Sequence, residues 1–351
     1  MKRWYRIIIR SIVVSIGAAL LSLSGLVLPT PARAQTLDGA TLEAIRTADM
    51  RLTAIGFRLA AAAAPLCDRL EPGIGFQLHT LAQYGGDSRE QVRRHFGFVG
   101  AVAVEGVVAD GPAAKAGVRA DDSLVAINGV ATPVRLDDAA STAMLEGLHG
   151  QLAALAPRAP VVLDLIRKGR ALRVTVQPVA ACRSRFEMKI SGDFDARATG
   201  ELVQVSSKFL EDVDAELLPA MVAHELSHNI LRHRERLSAV GADFGFASGF
   251  GRNVGLFRQT EIEADILAVH LLARARYSPQ LAVRFWSEVG PRLIAGRIRR
   301  RSHPPTSQRI AIAQAEAAKF TGGTLPPPPA FLAERDQPIA GEWRKYLPPE
   351  R

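Results

Sequence analysis

The 351-residue chain reads as an α+β, multidomain protein: a small β-rich module followed by a mainly helical region. Two observations predict this. Between Gly106 and Val176, runs rich in Val, Leu and Ile are punctuated by Gly111-Pro112, Asn128-Gly129 and Lys168-Gly169, which are turn dipeptides. From Glu216 to His233, Leu217, Leu218, Met221, Val222, Leu226, Ile230 and Leu231 recur at three- and four-residue spacing, the period of a buried helix.

The elements follow in order. Lys2, Arg3, Arg6 and Arg10 precede the apolar run Ile12 to Leu28, and Ala32 and Ala34 supply small residues at a cleavage site. Residues 1–34 are therefore expected to be a secretory signal cut after Ala34, making the protein exported and periplasmic. An uncleaved membrane anchor is the alternative. Residues 35–94 read as a helical segment, with Thr41 to Ala64 capped by Asp38 or Thr41 and a short helix at Ser88 to Arg94. Residues 95–179 hold the β-rich module. In it, a strand near Gly106 leads through Gly111-Pro112 to a short helix ended by Gly117. A strand at Ser123 to Ile127 follows, then a helix over Ala139 to Leu155 and a hairpin from Val161 to Val176. Residues 180–320 form the helical region. In residues 321–351, Pro326 to Pro329 forbid regular helix, so the tail is expected as an extended arm that Trp343 and Tyr346 could pin.

Charge excludes little once the leader is discounted. The formal +9 falls to +4 when the five basic residues of 1–34 are removed (9 − 5), and no nucleic-acid motif occurs. Arg297 to Arg301 is the one dense basic patch. It could make a peripheral contact with anionic lipid, meet an acidic substrate, or end a helix in solvent. Cys67 and Cys182 are the only cysteines, and in an exported chain such a pair reads as one disulfide, with two buried thiols as the alternative.

The chemistry concentrates in His224-Glu225-Leu226-Ser227-His228. Residues four apart share a helix face, so His224 and His228 can offer imidazole nitrogens to one Zn2+ per chain. Zinc lowers the pKa of its water to about 7, and Glu225 is placed to take that proton. Pro219 is tolerated only in a first turn, which starts the helix near Glu216. A third ligand is needed. Glu261-Ile262-Glu263-Ala264-Asp265 offers Glu261, with Asp265 four residues on as an acceptor orienting a ligand imidazole. By residue type alone Glu261 and Glu263 are hard to separate, and Glu263 reads as a solvated surface acid.

These segments, together with His303-Pro304-Pro305-Thr306-Ser307-Gln308-Arg309-Ile310, resemble the three ordered motifs of the HtpX/BepA-type zinc metallopeptidases, the group that includes the CAAX-processing proteases. The resemblance spans residues 183–320 and implies a zincin-type helical domain, Glu261 as ligand and Glu225 as general base. It implies His303 near the metal, occupying the open position in a latent state or touching substrate, and Arg309 tying that segment to the core. The family's Gly before Tyr277 is Arg276 here. Residues 95–179 resemble a bacterial PDZ domain, with Asp121 replacing the family's Gly before Asp122. Such domains bind a peptide as an added strand and hold its terminal carboxylate on backbone N–H groups. Phe96, Gly97, Phe98 and Val99 are candidates for that loop, or else the first core strand. The expected function is a zinc metalloendopeptidase acting on polypeptides of the envelope, recruited through exposed C-termini. The rival is a peptide-binding or chaperone-like factor with a latent or structural zinc site.

Overall fold

The computed structural model describes residues 37–293, 299–320 and 324–348. The expected signal, residues 1–34, lies outside them, as does part of the Arg297–Arg301 patch. Among the described residues no helix is long and apolar enough to cross a membrane.

Helix α1 (Gly39–Ala63) starts where Asp38 accepts a hydrogen bond from the Thr41 backbone N–H at 2.8 Å. Two strands follow, β1 (Leu70–Gly73) and β2 (Phe76–Thr80), then α2 (Gly86–Phe96). The purely helical reading of 35–94 is thus corrected. β2 alternates over Phe76-Gln77-Leu78-His79-Thr80, but the run is only five residues long and its partner lies over twenty residues downstream. Next come β3 (Val102–Val107), α3 (Pro112–Lys115), β4 (Ser123–Ile127), β5 (Val130–Ala131), α4 (Ala143–Ala153), β6 (Val161–Arg167) and β7 (Arg170–Val176). They form an antiparallel sheet of order β2-β3-β4-β6-β7, with β5 hairpinned onto β4, around Val102, Val104, Ile127, Leu148 and Leu163. Asp121 occupies the turn at φ 67°, a conformation that explains glycine at that place in the PDZ pattern.

The chain leaves this module beside the point where it entered. β8 (Val179–Cys182) pairs antiparallel with β1, Leu70 opposite Cys182, and the expected Cys67–Cys182 disulfide closes the neck with a Cα separation of 5.6 Å. The remaining elements are β9 (Arg185–Lys189), β10 (Ala196–Ala198), β11 (Leu202–Ser206), α5 (Ser207–Asp212), α6 (Leu218–Ile230), α7 (His233–Ala239), α8 (Arg252–Arg274), α9 (Gln280–Glu288), α10 (Gly290–Leu293), α11 (Arg299–Ser302) and α12 (Thr306–Ala317). The expected long helix ends early. Arg232 takes a left-handed conformation (φ 52°) and turns the chain before His233. Arg276 does the same (φ 58°) between α8 and α9, where glycine is the usual solution.

α1 belongs to the core of this second region. Leu52, Leu59 and Ala63 pack with Phe209, Val222, Leu226, Leu267 and Phe285 in one cluster. The PDZ-like module is therefore an insertion between α1 and β9 of a mostly helical body. The tail is laid onto that body: Phe331 is buried in the core, Tyr346 meets Phe331 edge-on, and Ile339 is buried with Leu237 and Leu256.

Candidate active site

The backbone of α6 brings His224 and His228 to one face, and α8 packs across it. His224 Nε2 lies 3.2 Å from His228 Nε2 and 3.4 Å from Glu261 Oε2, while His228 Nε2 lies 3.7 Å from Glu261 Oε1. One ligand atom from each of the three residues lies within 4.8 Å of the others, so these residues could hold a metal ion. Two imidazoles and one carboxylate match the donor set of a catalytic zinc site with an open position.

The shell behind the ligands is dense. Asp265 Oδ1 sits 3.1 Å from His224 Nδ1, so it can fix that ring with Nε2 facing the site. Arg309 donates to both oxygens of Asp265 at 2.7 Å and approaches Glu261 Oε2 at 3.0 Å. Its guanidinium lies 3.4 Å from the centre of the Trp286 ring, an aromatic lid that the sequence reading did not single out. Arg309 is only 2% exposed and spends its donors on carboxylates, so it positions the site rather than offering itself to a substrate. His303 stands on the cleft side, its Nε2 3.5 Å from Glu261 Oε1.

Glu263 overturns the surface-acid reading. It is fully buried, meeting His233 Nε2 at 3.1 Å, Arg236 Nη1 at 3.1 Å and Gln259 Nε2 at 2.7 Å. Two residues past Glu261 on a helix, it faces α7 instead of α6, which separates the two acids that residue type could not.

Electrostatics follows burial. Burial pushes the Glu225 carboxyl up to about 7, aided by the Glu261 charge and opposed by His224 and Arg309. Burial also works against charge on Glu261, but His303, Arg309, His224 and His228 hold its carboxyl well below the usual range. His228 is pressed well below its ordinary value by burial.

These groups open into a cleft of about 410 Å³ whose far wall is β10. β10 pairs with β11 on one side and is the outer strand of its sheet. Asn229, next to His228, locks this wall to α6: it accepts from the Gly200 N–H at 2.8 Å and donates to Ser184 Oγ at 2.8 Å.

A second hollow, about 90 Å³, lies where β2 and α4 of the module meet α1, β8 and β9. Gly73, Ile74, Gly75 and Phe76 line it with His149 and Leu152 on one side, and Thr53, Phe57, Ala60 and Phe186 line it on the other. Gly75 turns the chain at φ 74°. The loop expected at Phe96–Val99 lies elsewhere. Phe96 and Phe98 are buried with Leu42, Leu81 and Val92, Gly97 caps α2 at φ 66°, and the Val99 N–H donates to Ser123 Oγ at 2.9 Å. None of the four lines the hollow, which the Gly73-Ile74-Gly75-Phe76 turn borders instead.

Comparison with known proteins agrees with this layout. Residues 104–149 match the PDZ domain family, and residues 243–317 match peptidase family M48, a span that holds Glu261, Asp265, His303 and Arg309 and begins after His228. No curated protein matches the chain. Among solved structures, an HtrA-type protease AlgW with decapeptide is 20% identical, covering 32% of this chain and 30% of its own, at a TM-score of 0.24. The chain thus spans less than a third of that protein. The HtrA3 PDZ domain bound to a phage-derived ligand is 18% identical, covering 32% of this chain and 89% of its own, also at a TM-score of 0.24. The two family matches, each over a part of the chain, support a metallopeptidase related to family M48 with a PDZ domain ahead of a largely helical C-terminal region.

Proposed function

We propose that the protein is an exported, zinc-dependent endopeptidase that hydrolyses peptide bonds in exported or misfolded envelope polypeptides. The observation that carries this is the convergence of His224, His228 and Glu261 beside Glu225, at the floor of a cleft walled by a strand edge. Zinc bound by these three residues would supply a Lewis acid that polarises the scissile carbonyl and acidifies the attacking water. Glu225 accepts the water's proton and returns it to the leaving amine, a double duty suited to a carboxyl held up to about 7. Asp265 keeps His224 in one tautomer, and Arg309 keeps Asp265 in place. His303, on the open side of Glu261, is the candidate donor toward the developing oxyanion. Substrate lies extended along β10, whose outer edge offers main-chain pairing.

The PDZ domain recruits by the same principle at a second edge. A C-terminal peptide adds to β2, beside α4, with its carboxylate toward the Ile74–Phe76 turn.

The test is direct. The mature chain is purified, its zinc measured, and cleavage of an unfolded protein followed for wild type and Glu225→Gln. About one zinc per chain, with cleavage lost in the variant, is the expected result. Zinc with equal cleavage by both proteins removes Glu225 from the mechanism. Zinc with no cleavage by either leaves the peptide-binding factor as the better reading.

A further inference from the structure

His228 has a partner behind it that no metal-ligand pattern calls for. Its Nδ1 lies 2.9 Å from His233 Nδ1, and His233 Nε2 lies 3.1 Å from Glu263 Oε2. If His228 Nε2 faces the metal, its Nδ1 carries the proton and donates to His233 Nδ1. His233 Nε2 then carries the second proton and donates to the Glu263 carboxylate. Every polar atom along this line is satisfied by one assignment of protons. His233 reaches His228 only because Arg232 breaks the helix in a left-handed turn.

The line continues into the tail. Gln259 donates through Nε2 to Glu263 Oε1 at 2.7 Å, and its Oε1 accepts the backbone N–H groups of Gly341 and Glu342 at 2.7 and 3.1 Å. Arg236, which grips Glu263, donates through Nε to the Gln337 carbonyl at 2.9 Å. Arg232 pairs with Asp336. Ile339 is buried between Leu237 of α7 and Leu256 of α8. The contact is intimate: a Cβ on Gly255 would stand 3.2 Å from the Gly341 carbonyl oxygen, and Gly341 itself holds φ 81°. Residues 336–342 therefore clasp α7 to α8 at the place where His233 and Glu263 sit.

We infer that His233 and Glu263 are positioning residues for the metal ligand His228, and that the C-terminal strap 336–342 holds them in register through Gln259 and Arg236. The inference rests on the metallopeptidase reading above and adds to it the source of the site's rigidity. A ligand imidazole backed by a fixed acceptor keeps its ring angle, and losing such a partner commonly costs about 10–100-fold in metal affinity.

The experiment uses the full mature chain, the variants Glu263→Gln and Gln259→Leu, and a chain ending at Asp336. Zinc release to a chromogenic chelator is timed, and the visible spectrum of each cobalt-loaded protein is recorded. Each change is expected to speed release about 10–100-fold and to shift the cobalt bands. Gln259→Leu should add less in the shortened chain than in the full chain, since the Gln259 bridge to Gly341 and Glu342 is already gone there. Wild-type release and an unchanged cobalt spectrum in the shortened chain, with helical circular dichroism intact, overturn the inference. Should Glu263→Gln fail to fold, Gln259→Leu and the shortened chain still decide. A wild-type chain that binds no metal defeats the metallopeptidase reading, whereas a metal-loaded wild type with indifferent variants defeats this inference alone.

Discussion

Replacing Arg309 with methionine tests the electrostatic design of the site. Arg309 and Asp265 are 2% and 1% exposed, joined by two bonds of 2.7 Å, with Glu261 3.0 Å from the same guanidinium. Met keeps the apolar packing on Trp286 but removes the charge, leaving two buried carboxylates facing each other. Removing one partner of a buried ion pair costs about 3–5 kcal/mol. In a domain of a few hundred residues each kcal/mol lowers the melting temperature by about 2–4 °C, so the expected drop is roughly 6–20 °C. The sign of two further changes is fixed by the same reasoning. Asp265→Asn added to Arg309→Met removes one orphaned charge and should recover part of the loss. Saturating zinc should narrow the gap between variant and wild type, because a divalent cation on Glu261 replaces part of the missing charge. The assay is thermal unfolding by circular dichroism, with zinc or with chelator. A variant within about 1 kcal/mol of wild type in chelator, or a double variant no better than the single, refutes the argument.

Three other outcomes follow from the structure. The Cys67–Cys182 bond closes a loop with a separation of 115 residues, so replacing both cysteines with serine should cost about 4–5 kcal/mol, read as a lower denaturant midpoint; an unchanged midpoint contradicts it. Burial raises Glu105 well above its ordinary range, with Asp49 adding to it, and burial lifts Asp49 to about 7. The folded state thus keeps protons that the unfolded chain releases from about pH 4 upward, and stability should fall as pH rises from about 4 to 7. Glu105→Gln should flatten that decline in melting temperature, and parallel curves for both proteins would refute the assignment. Gly75 holds φ 74° with a virtual Cβ 3.3 Å from Phe57 and Pro112, so Gly75→Ala should cost about 1–2 kcal/mol. Gly85→Ala, at φ −65° with nothing within 4 Å, should be neutral, and equal unfolding midpoints for the two would refute the strain argument.

The candidate metal-binding pattern was legible because a helix converts spacing into geometry without help from the rest of the fold. His224 and His228 share a face by period alone, as do Glu261 and Asp265, and the observed contacts are the ones that period implies. Spacing of two is less informative. Glu263 could not be told from Glu261 until α7 supplied the residues that bury it. His233 was hidden for a different reason: the apolar period runs smoothly through Arg232, and nothing in residue type announces a left-handed break at an arginine. β2 was missed because its alternating run, Phe76 to Thr80, is only five residues long and its pairing is non-local. The tail's anchorage was legible only in part: Trp343 and Tyr346 pack against the core as apolar pins, whereas the Gln259 bridge depends on backbone N–H groups, which every residue but proline carries.

The neck made by β1 and β8 gives the PDZ domain two attachment points only a few ångströms apart, sealed by a covalent clasp. The PDZ-like module and the helical body that carries His224, His228 and Glu261 are consequently separable parts of one polypeptide. A chain in which a short turn joins β1 directly to β8 keeps α1, the metal-binding triad and the strap in a single uninterrupted body. On the proposed function, grafting a different module onto the same two strands would exchange substrate choice and leave the His224, His228 and Glu261 cluster untouched.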